Sequence, residues 1–143
     1  MFTIMKASPT DHHALIDLWL RTNIAAHHFI EKEYWIDQYE LVAALLPDAE
    51  LYVAKQNDTC CGFAGITDDY YVAGLFVDTP YQHQGLGSQL INTCKNDFEE
   101  LTLNVYTQNK PACNFYFKHG FKNMEESINP DTLKAEYTLL WRK

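Results

Sequence analysis

The sequence contains few of the residues that would build a metal centre, a disulfide framework or a membrane span. Its 4 cysteines form no Cys-x-x-Cys pair, and they are interpreted as reduced thiols that serve as small apolar side chains. Cys60 and Cys61 are adjacent, so on a strand they would point to opposite faces of a sheet. No apolar stretch is long enough to span a membrane, and Met1 to His13 lack the pattern of a signal peptide. We therefore expect a cytoplasmic protein.

Basic residues are also scarce, because 11 lysines and arginines stand against 19 aspartates and glutamates. The formal net charge of −8 argues against nucleic-acid binding, which needs a basic surface, and mildly favours a cationic partner. Histidine pairs at 12–13 and 27–28 do not predict zinc. Sequence neighbours do not share a helix face, and no further ligand follows at the required spacing. We expect no metal site.

The 143 residues are enough for one domain, and no linker, repeat or low-complexity tract divides residues 1–143. Apolar patterning predicts strands over residues 2–7, 51–54, 60–67, 70–77, 101–106, 121–126 and 134–141. Helical spacing and start signals predict helices from Ser8, over 33–46, over 85–97 and after Asn109. This order predicts an α/β fold, a mixed sheet with helices packed on its faces. The strand at 70–77 is apolar on both sides, so it should be central and buried.

The first motif with chemical content is a glycine-rich turn between a strand and a helix, Val-Asp-Thr-Pro-Tyr-Gln-His-Gln-Gly-Leu-Gly over residues 77–87. Gly85 and Gly87 let a ligand approach the backbone. The first amides of the helix have no internal partners, so this helix start suits a pyrophosphate. Read alone, the motif also fits a tight structural corner. A P-loop is excluded because no Gly-Lys-Ser/Thr is present, and Leu90 stands where a dinucleotide fingerprint needs a small residue.

The second motif is Asn-Lys-Pro-Ala-Cys-Asn-Phe-Tyr-Phe-Lys-His-Gly-Phe over residues 109–121. Asn109 should cap a short helix, and Gly120 should end it. The side chains of Ala112, Phe115, Tyr116 and His119 share one helical face. Read alone, that face is also compatible with an aromatic core surface.

In this order, the two motifs resemble those of the GNAT superfamily of N-acetyltransferases, and the resemblance covers essentially the whole chain. The family pattern Gln/Arg-x-x-Gly-x-Gly/Ala is matched by Gln82, Gly85 and Gly87. The pattern Asn-x-x-Ala-x-x-Phe-Tyr-x-x-x-Gly-Phe is matched by Asn109, Ala112, Phe115, Tyr116, Gly120 and Phe121. The resemblance implies a GNAT fold, a mostly antiparallel sheet whose middle strands splay apart with helices on both faces. It also implies transfer of an acetyl group from acetyl-CoA to a primary amine.

The resemblance further implies which residues contact the cofactor. Acetyl-pantetheine would enter the gap between the splayed strands and pair with the backbone of Leu75, Phe76 and Val77. An N–H near Phe76 or Val77 would polarise the thioester carbonyl. Tyr116 would protonate the departing thiolate, and Asn109 would contact the cofactor arm. The phosphates would lie on the loop and helix start formed by Gln82, His83, Gln84, Gly85, Leu86, Gly87 and Ser88.

This sequence departs from the family pattern in the phosphate loop. His83 and Gln84 stand where the family often has a glycine and a basic residue. Phosphate binding should therefore depend on backbone amides and Ser88, with His83 as the only nearby basic side chain.

In this family, acceptor specificity usually comes from the segment between the first two helices and from the last hairpin, which here are about residues 27–39 and 127–137. The first segment offers His27, His28, Glu31 and Glu33 as candidate bases, although a water chain would also carry the proton. The acceptor could be a small-molecule amine, a protein lysine or a protein N-terminus, and dimers are common in the family. Two alternatives stay open: a CoA-binding sensor without turnover, and an acyltransferase with another acyl chain or acceptor.

Overall fold

Seven strands and four helices build the protein, whose computed structural model describes residues 1–143. The strands are β1 (Thr3–Lys6), β2 (Glu50–Gln56), β3 (Thr59–Ile66), β4 (Val72–Val77), β5 (Glu100–Tyr106), β6 (Lys122–Ile128) and β7 (Ala135–Arg142). The helices are α1 (His12–Ala26), α2 (Lys32–Leu45), α3 (Leu86–Asp97) and α4 (Lys110–Lys118). Every element predicted from the sequence is present, in the predicted order.

The strands form two antiparallel sheets that meet at one point. The first has the order β1-β2-β3-β4, and the second has the order β5-β7-β6. A single parallel bridge between Tyr71 and Thr102 joins them, and the N–H of Thr102 donates to the carbonyl of Tyr70 at 3.0 Å. Beyond this bridge β4 and β5 do not pair, so a gap opens between them toward their C-terminal ends.

The strand predicted to be central and buried is in fact an edge strand of its own sheet. β4 pairs only with β3, and four of its six residues, Gly74 to Val77, are half-buried. The prediction of a fully buried strand was wrong because apolar residues on both faces do not show whether a second neighbouring strand stays in hydrogen-bonding contact. Here β5 diverges from β4 after the single bridge between Tyr71 and Thr102.

Helices cover both faces of the sheets. α1 and α2 pack on one face around Leu15, Leu18, Trp19, Trp35 and Phe63. On the other face α3 and α4 pack around a larger cluster that includes Leu86, Leu90, Leu101, Leu103, Cys113 and Tyr116. As predicted for sequence neighbours on a strand, Cys61 lies in the second cluster and Cys60 packs against the first. All four cysteines are free thiols.

Local signals fix where the site-bearing helices begin and end. Pro9 to Asp11 form a 3₁₀ turn ahead of α1, and the Asp11 carboxylate accepts from the N–H of Ser8 at 2.9 Å. The Asn109 side chain accepts from the N–H of Ala112 at 3.3 Å, which caps α4. Gly120 has φ +87° just after this helix, the left-handed conformation that glycine adopts without strain. None of the four helices is both long and apolar enough to cross a membrane.

Gly62 of β3 lies against the backbone of β4, so its substitution tests how much this close contact contributes to stability. A Cβ at Gly62 would lie 2.7 Å from the carbonyl oxygen of Phe76, whereas a Cβ at Gly65 would approach no atom closer than 3.4 Å. Gly62→Ala should therefore lower the free energy of unfolding by about 1–3 kcal/mol through overpacking. Gly65→Ala, on the same strand, should cost clearly less. Urea unfolding of both variants measures this, and equal losses would show that β4 does not depend on the contact at Gly62.

Candidate active site

The edge of β4 that faces the gap carries unpaired backbone amides. The N–H of Asp78 donates to the carbonyl of Cys61 on β3 at 2.8 Å. Because amides alternate in direction along a strand, Phe76 also points toward β3, and Leu75 and Val77 point into the gap. The carbonyl of Val77 confirms this direction, since it accepts from the side-chain amide of Gln82 at 2.9 Å. Of the two residues proposed to polarise a thioester, Val77 is the one whose N–H is free.

The loop after β4 brings a helix N-terminus to the mouth of the gap. Gly85 is the N-cap of α3 with φ +80°, and a Cβ there would meet nothing within 4 Å. The space over this helix start is therefore open to a ligand. Gly87 has a different use, because a Cβ there would lie 3.2 Å from the ring of Phe115. Leu86 is fully buried, so only its backbone N–H can serve a ligand.

One histidine other than His83, His119, lies beside this helix start. The ring Nε2 of His119 is 2.9 Å from the hydroxyl of Ser88, and Lys95 donates to the carbonyl of His119. Burial and the nearby charges of Lys95 and Lys118 lower the pKa of His119. The prediction that His83 is the only nearby basic side chain was therefore wrong. Sequence reasoning missed His119 because its motif marked it only as part of an aromatic face.

Tyr116 stands on α4 with its ring in the core. It is 8% exposed, and burial raises the pKa of its phenol well above the ordinary value. The hydroxyl is therefore a neutral proton donor at neutral pH. Among side-chain polar atoms that solvent cannot reach, only the indole nitrogen of Trp35 lacks a hydrogen-bond partner. The Tyr116 hydroxyl makes no hydrogen bond and is not completely sealed from solvent.

His27 lies inside the fold and uses both ring nitrogens. Nδ1 donates to the carbonyl of Asn23 at 3.0 Å, and Nε2 accepts from the side-chain amide of Asn109 at 3.3 Å. Its ring stacks on Trp35 at a centroid distance of 5.1 Å. Burial lowers the pKa of His27. This arrangement leaves no free lone pair for an ammonium proton, so the contacts do not support the predicted role of His27 as a base.

The other three candidate bases, His28, Glu31 and Glu33, lie on the surface. His28 is exposed and makes an edge contact with Phe29 at 5.5 Å. Glu33 is exposed in the first turn of α2. The structure brings none of them to Tyr116 or Val77 by any hydrogen bond.

A cavity of about 320 Å³ lies between the two segments expected to bind the acceptor. Its walls come from the α1–α2 connection and from the β6–β7 turn: Phe29, Ile30, Glu31, Tyr34, Asp131, Thr132 and Lys134. Burial and the charges of Asp131 and Glu136 raise the pKa of Tyr34. The hydroxyl of Tyr106, at the end of β5, accepts from Thr132 at 3.4 Å. This cavity therefore adjoins the open end of the gap and has an acidic rim.

Comparison with known proteins decides the family. A family model described as "Acetyltransferase (GNAT) domain" matches residues 22–135. The chain belongs to the GNAT family of acetyltransferases. It is an acetyl-CoA-dependent N-acetyltransferase, and the gap between β4 and β5 is the splay that the resemblance implied.

Curated relatives and solved structures agree with this assignment. The chain is 36% identical to the peptidyl-lysine N-acetyltransferase YjaB of Salmonella typhimurium over 98% of this chain and 96% of that protein. It is 30% identical to the peptidyl-lysine N-acetyltransferase YiaC of Escherichia coli over 96% and 95% of the two chains. The solution structure of apo YjaB from Escherichia coli superposes with a TM-score of 0.85 at 29% identity, covering 99% of this chain and 97% of that chain. PaiA N-acetyltransferase from Thermoplasma acidophilum, solved with coenzyme A, shares the fold with a TM-score of 0.82 at 19% identity, over 100% and 99% of the two chains.

The open space over Gly85 gives a test of the phosphate loop. Gly85→Val should abolish the rise in melting temperature that acetyl-CoA causes by mass action, because the side chain fills the space over the helix start. Gly120→Val is the matched control, since it places the same β-branched residue at positive φ away from the loop. Both variants should lose stability without ligand, and only Gly85→Val should lose the ligand response. A normal shift in folded Gly85→Val would remove the loop from the cofactor site.

Proposed function

We propose that this enzyme transfers the acetyl group of acetyl-CoA to the side-chain amine of lysine in a protein or peptide. The observation that carries the proposal is the gap between β4 and β5, where the N–H of Val77 is free. The Tyr116 hydroxyl, which makes no hydrogen bond, is the candidate proton donor. Relatives 30–36% identical over nearly the whole chain are named peptidyl-lysine N-acetyltransferases, which supports a lysine acceptor.

The cofactor would extend from the helix start into the gap. Its pyrophosphate would lie on the amides of residues 85–88, where the helix dipole and the unpartnered N–H groups favour an anion. Its pantetheine arm would take the place of the missing strand and pair with the free backbone groups of Leu75 and Val77. This placement directs the thioester toward the face on which the acceptor cavity opens.

The chemistry follows from the groups at the gap. The lysine nitrogen attacks the thioester carbon, and the carbonyl oxygen gains negative charge that the N–H of Val77 stabilises. The carbon–sulfur bond of this tetrahedral intermediate then breaks, and the new carbon–nitrogen bond is kept. The Tyr116 hydroxyl donates its proton to the departing thiolate. Solvent later returns a proton to the phenolate. The lysine ammonium must lose one proton before it attacks, and the attached nitrogen must lose a second proton as the amide forms. We assign both protons to water leading out through the acceptor cavity.

The acceptor cavity suits a lysine side chain. Phe29 and Ile30 offer apolar surface for its methylene groups, and Glu31 and Asp131 stand at the rim. Their negative charge raises the local concentration of a cationic peptide and speeds its encounter with the enzyme. The single basic residue in the lining, Lys134, partly offsets this attraction.

Tyr116→Phe tests the general acid. The variant should bind acetyl-CoA normally and lose roughly 10²–10⁴-fold in kcat, because the thiolate must then leave without a positioned proton donor. Tyr52→Phe is the control. It removes another core hydroxyl, one bonded to Asp97 at 2.7 Å, so it should cost stability and leave kcat nearly unchanged. Steady-state kinetics and calorimetry measure both, and a loss of less than about threefold in Tyr116→Phe would assign the proton to another group.

Neutralising Glu31 or Asp131 at the cavity rim tests whether their charge attracts the peptide. Glu31→Gln and Asp131→Asn should each lower kcat/KM for a lysine peptide by about two- to fivefold at low ionic strength, with most of the loss in KM. The difference from wild type should shrink in 0.5 M salt, where the Debye length falls to about 4 Å. Asp58→Asn removes the same charge from the β2–β3 turn, outside this cavity, and should have no such effect. Equal behaviour of all three variants would reject the rim as the peptide's electrostatic guide.

A further inference from the structure

Helix α1 contacts the β4 side of the open gap through Arg21. Its guanidinium donates to both carboxylate oxygens of Asp78, with Nε 3.1 Å from Oδ1 and Nη2 2.8 Å from Oδ2. Asp78 directly follows β4 and also accepts from the N–H of Thr79 at 3.0 Å, which starts the 3₁₀ turn of the phosphate loop. The bidentate pair therefore ties α1 to the point where β4 becomes the loop.

The same helix contacts the β5 side of the gap at its C-terminal end. His27 is the C-cap of α1, and its Nε2 accepts from the Asn109 side-chain amide at 3.3 Å. Asn109 follows β5, and its own N–H donates to the carbonyl of Tyr106 at 3.0 Å. Its side-chain oxygen caps α4, the helix that carries Tyr116. One amide side chain thus joins His27 to the start of the catalytic helix.

The two contacts are six positions apart on α1. One helix therefore joins the residue that follows β4 to the segment that follows β5, at the ends where the two strands have separated.

We propose that α1 is a brace across the open end of the cofactor gap, with Arg21 and His27 as positioning residues for acetyl-CoA and for Tyr116. This inference rests on the proposed placement of the cofactor between β4 and β5. Neither residue touches the reacting atoms. Arg21 acts through Asp78 on the phosphate loop, and His27 acts through Asn109 on α4.

The His27 end of the brace requires a neutral ring. A neutral imidazole with its proton on Nδ1 donates to the carbonyl of Asn23 and still accepts a hydrogen bond at Nε2. In a protonated ring, the Nε2–H would face the side-chain NH2 of Asn109, so two donors would meet and the hydrogen bond would be lost. The rings packed on His27 are Trp35, Phe29 and Tyr106. Of these only Tyr106 titrates, and burial raises its pKa to about 12. Burial lowers the pKa of His27 with no contribution from a charged neighbour, so the brace is intact at neutral pH and weakens as the pH falls.

Three variants separate this role from simple packing. His27→Gln keeps an oxygen that can accept from Asn109 and cannot titrate, and His27→Leu fills similar space without an acceptor. His13→Gln is the matched control, because His13 lies on the same helix with its side chain 86% exposed. Calorimetry with acetyl-CoA alone, at pH values from 5.5 to 8.5, measures affinity without any acceptor peptide.

At pH 8, His27→Leu should bind acetyl-CoA about tenfold more weakly, because the half-buried Asn109 amide loses its partner. His27→Gln should stay within about threefold of wild type. On lowering the pH, wild type and His13→Gln should lose affinity more steeply than His27→Gln. A wild-type affinity in His27→Leu, or a wild-type pH profile in His27→Gln, would overturn the brace. If His27→Leu does not fold, the pH profile of His27→Gln decides. Because no acceptor is present, failure to acetylate lysine would leave this result standing.

Discussion

The function of this fold depends on a single break in backbone pairing, the departure of β5 from β4 after the Tyr71–Thr102 bridge. A strand edge left unpaired inside a protein costs free energy, about 1–3 kcal/mol for each buried amide without a partner. The cofactor can supply those missing partners, because an extended pantetheine arm carries amide groups of its own. The loop that follows β4 leads from the free N–H of Val77 to the start of α3. In the proposed mechanism, binding and activation of the thioester both use this one irregularity in the sheet.

The two proposed substrate sites lie in surroundings of different charge. The α3–α4 side brings His119 to the helix start at Ser88, where an anionic cofactor would lie. The α1–α2 side presents Glu31 and Asp131 around the acceptor cavity, where a cationic lysine would enter. The overall charge of −8 thus does not oppose binding of a polyanionic cofactor, because the amides of the helix start supply positive potential at the loop.

Local signals in the sequence predicted the elements and the two motifs well. The Asn109 cap and the glycine after α4 depend on neighbours within a few positions, so their spacing could be read directly. The contacts of Arg21 with Asp78 and of His27 with Asn109 join residues 57 and 82 positions apart, and no periodicity encodes such pairs. For this reason the sequence offered His27 only as one of several candidate bases. Likewise, the apolar pattern of residues 70–77 could not show that β5 diverges from this strand instead of pairing along it.

The most direct test of this account is amide hydrogen exchange at β4, followed by NMR with and without saturating acetyl-CoA. The amides of Leu75 and Val77 should exchange rapidly in the free enzyme and become protected when the cofactor pairs with them. The amide of Phe76, which points toward β3, should be protected in both states. Unchanged rapid exchange at Val77 in the saturated complex would contradict the placement of the cofactor in the gap.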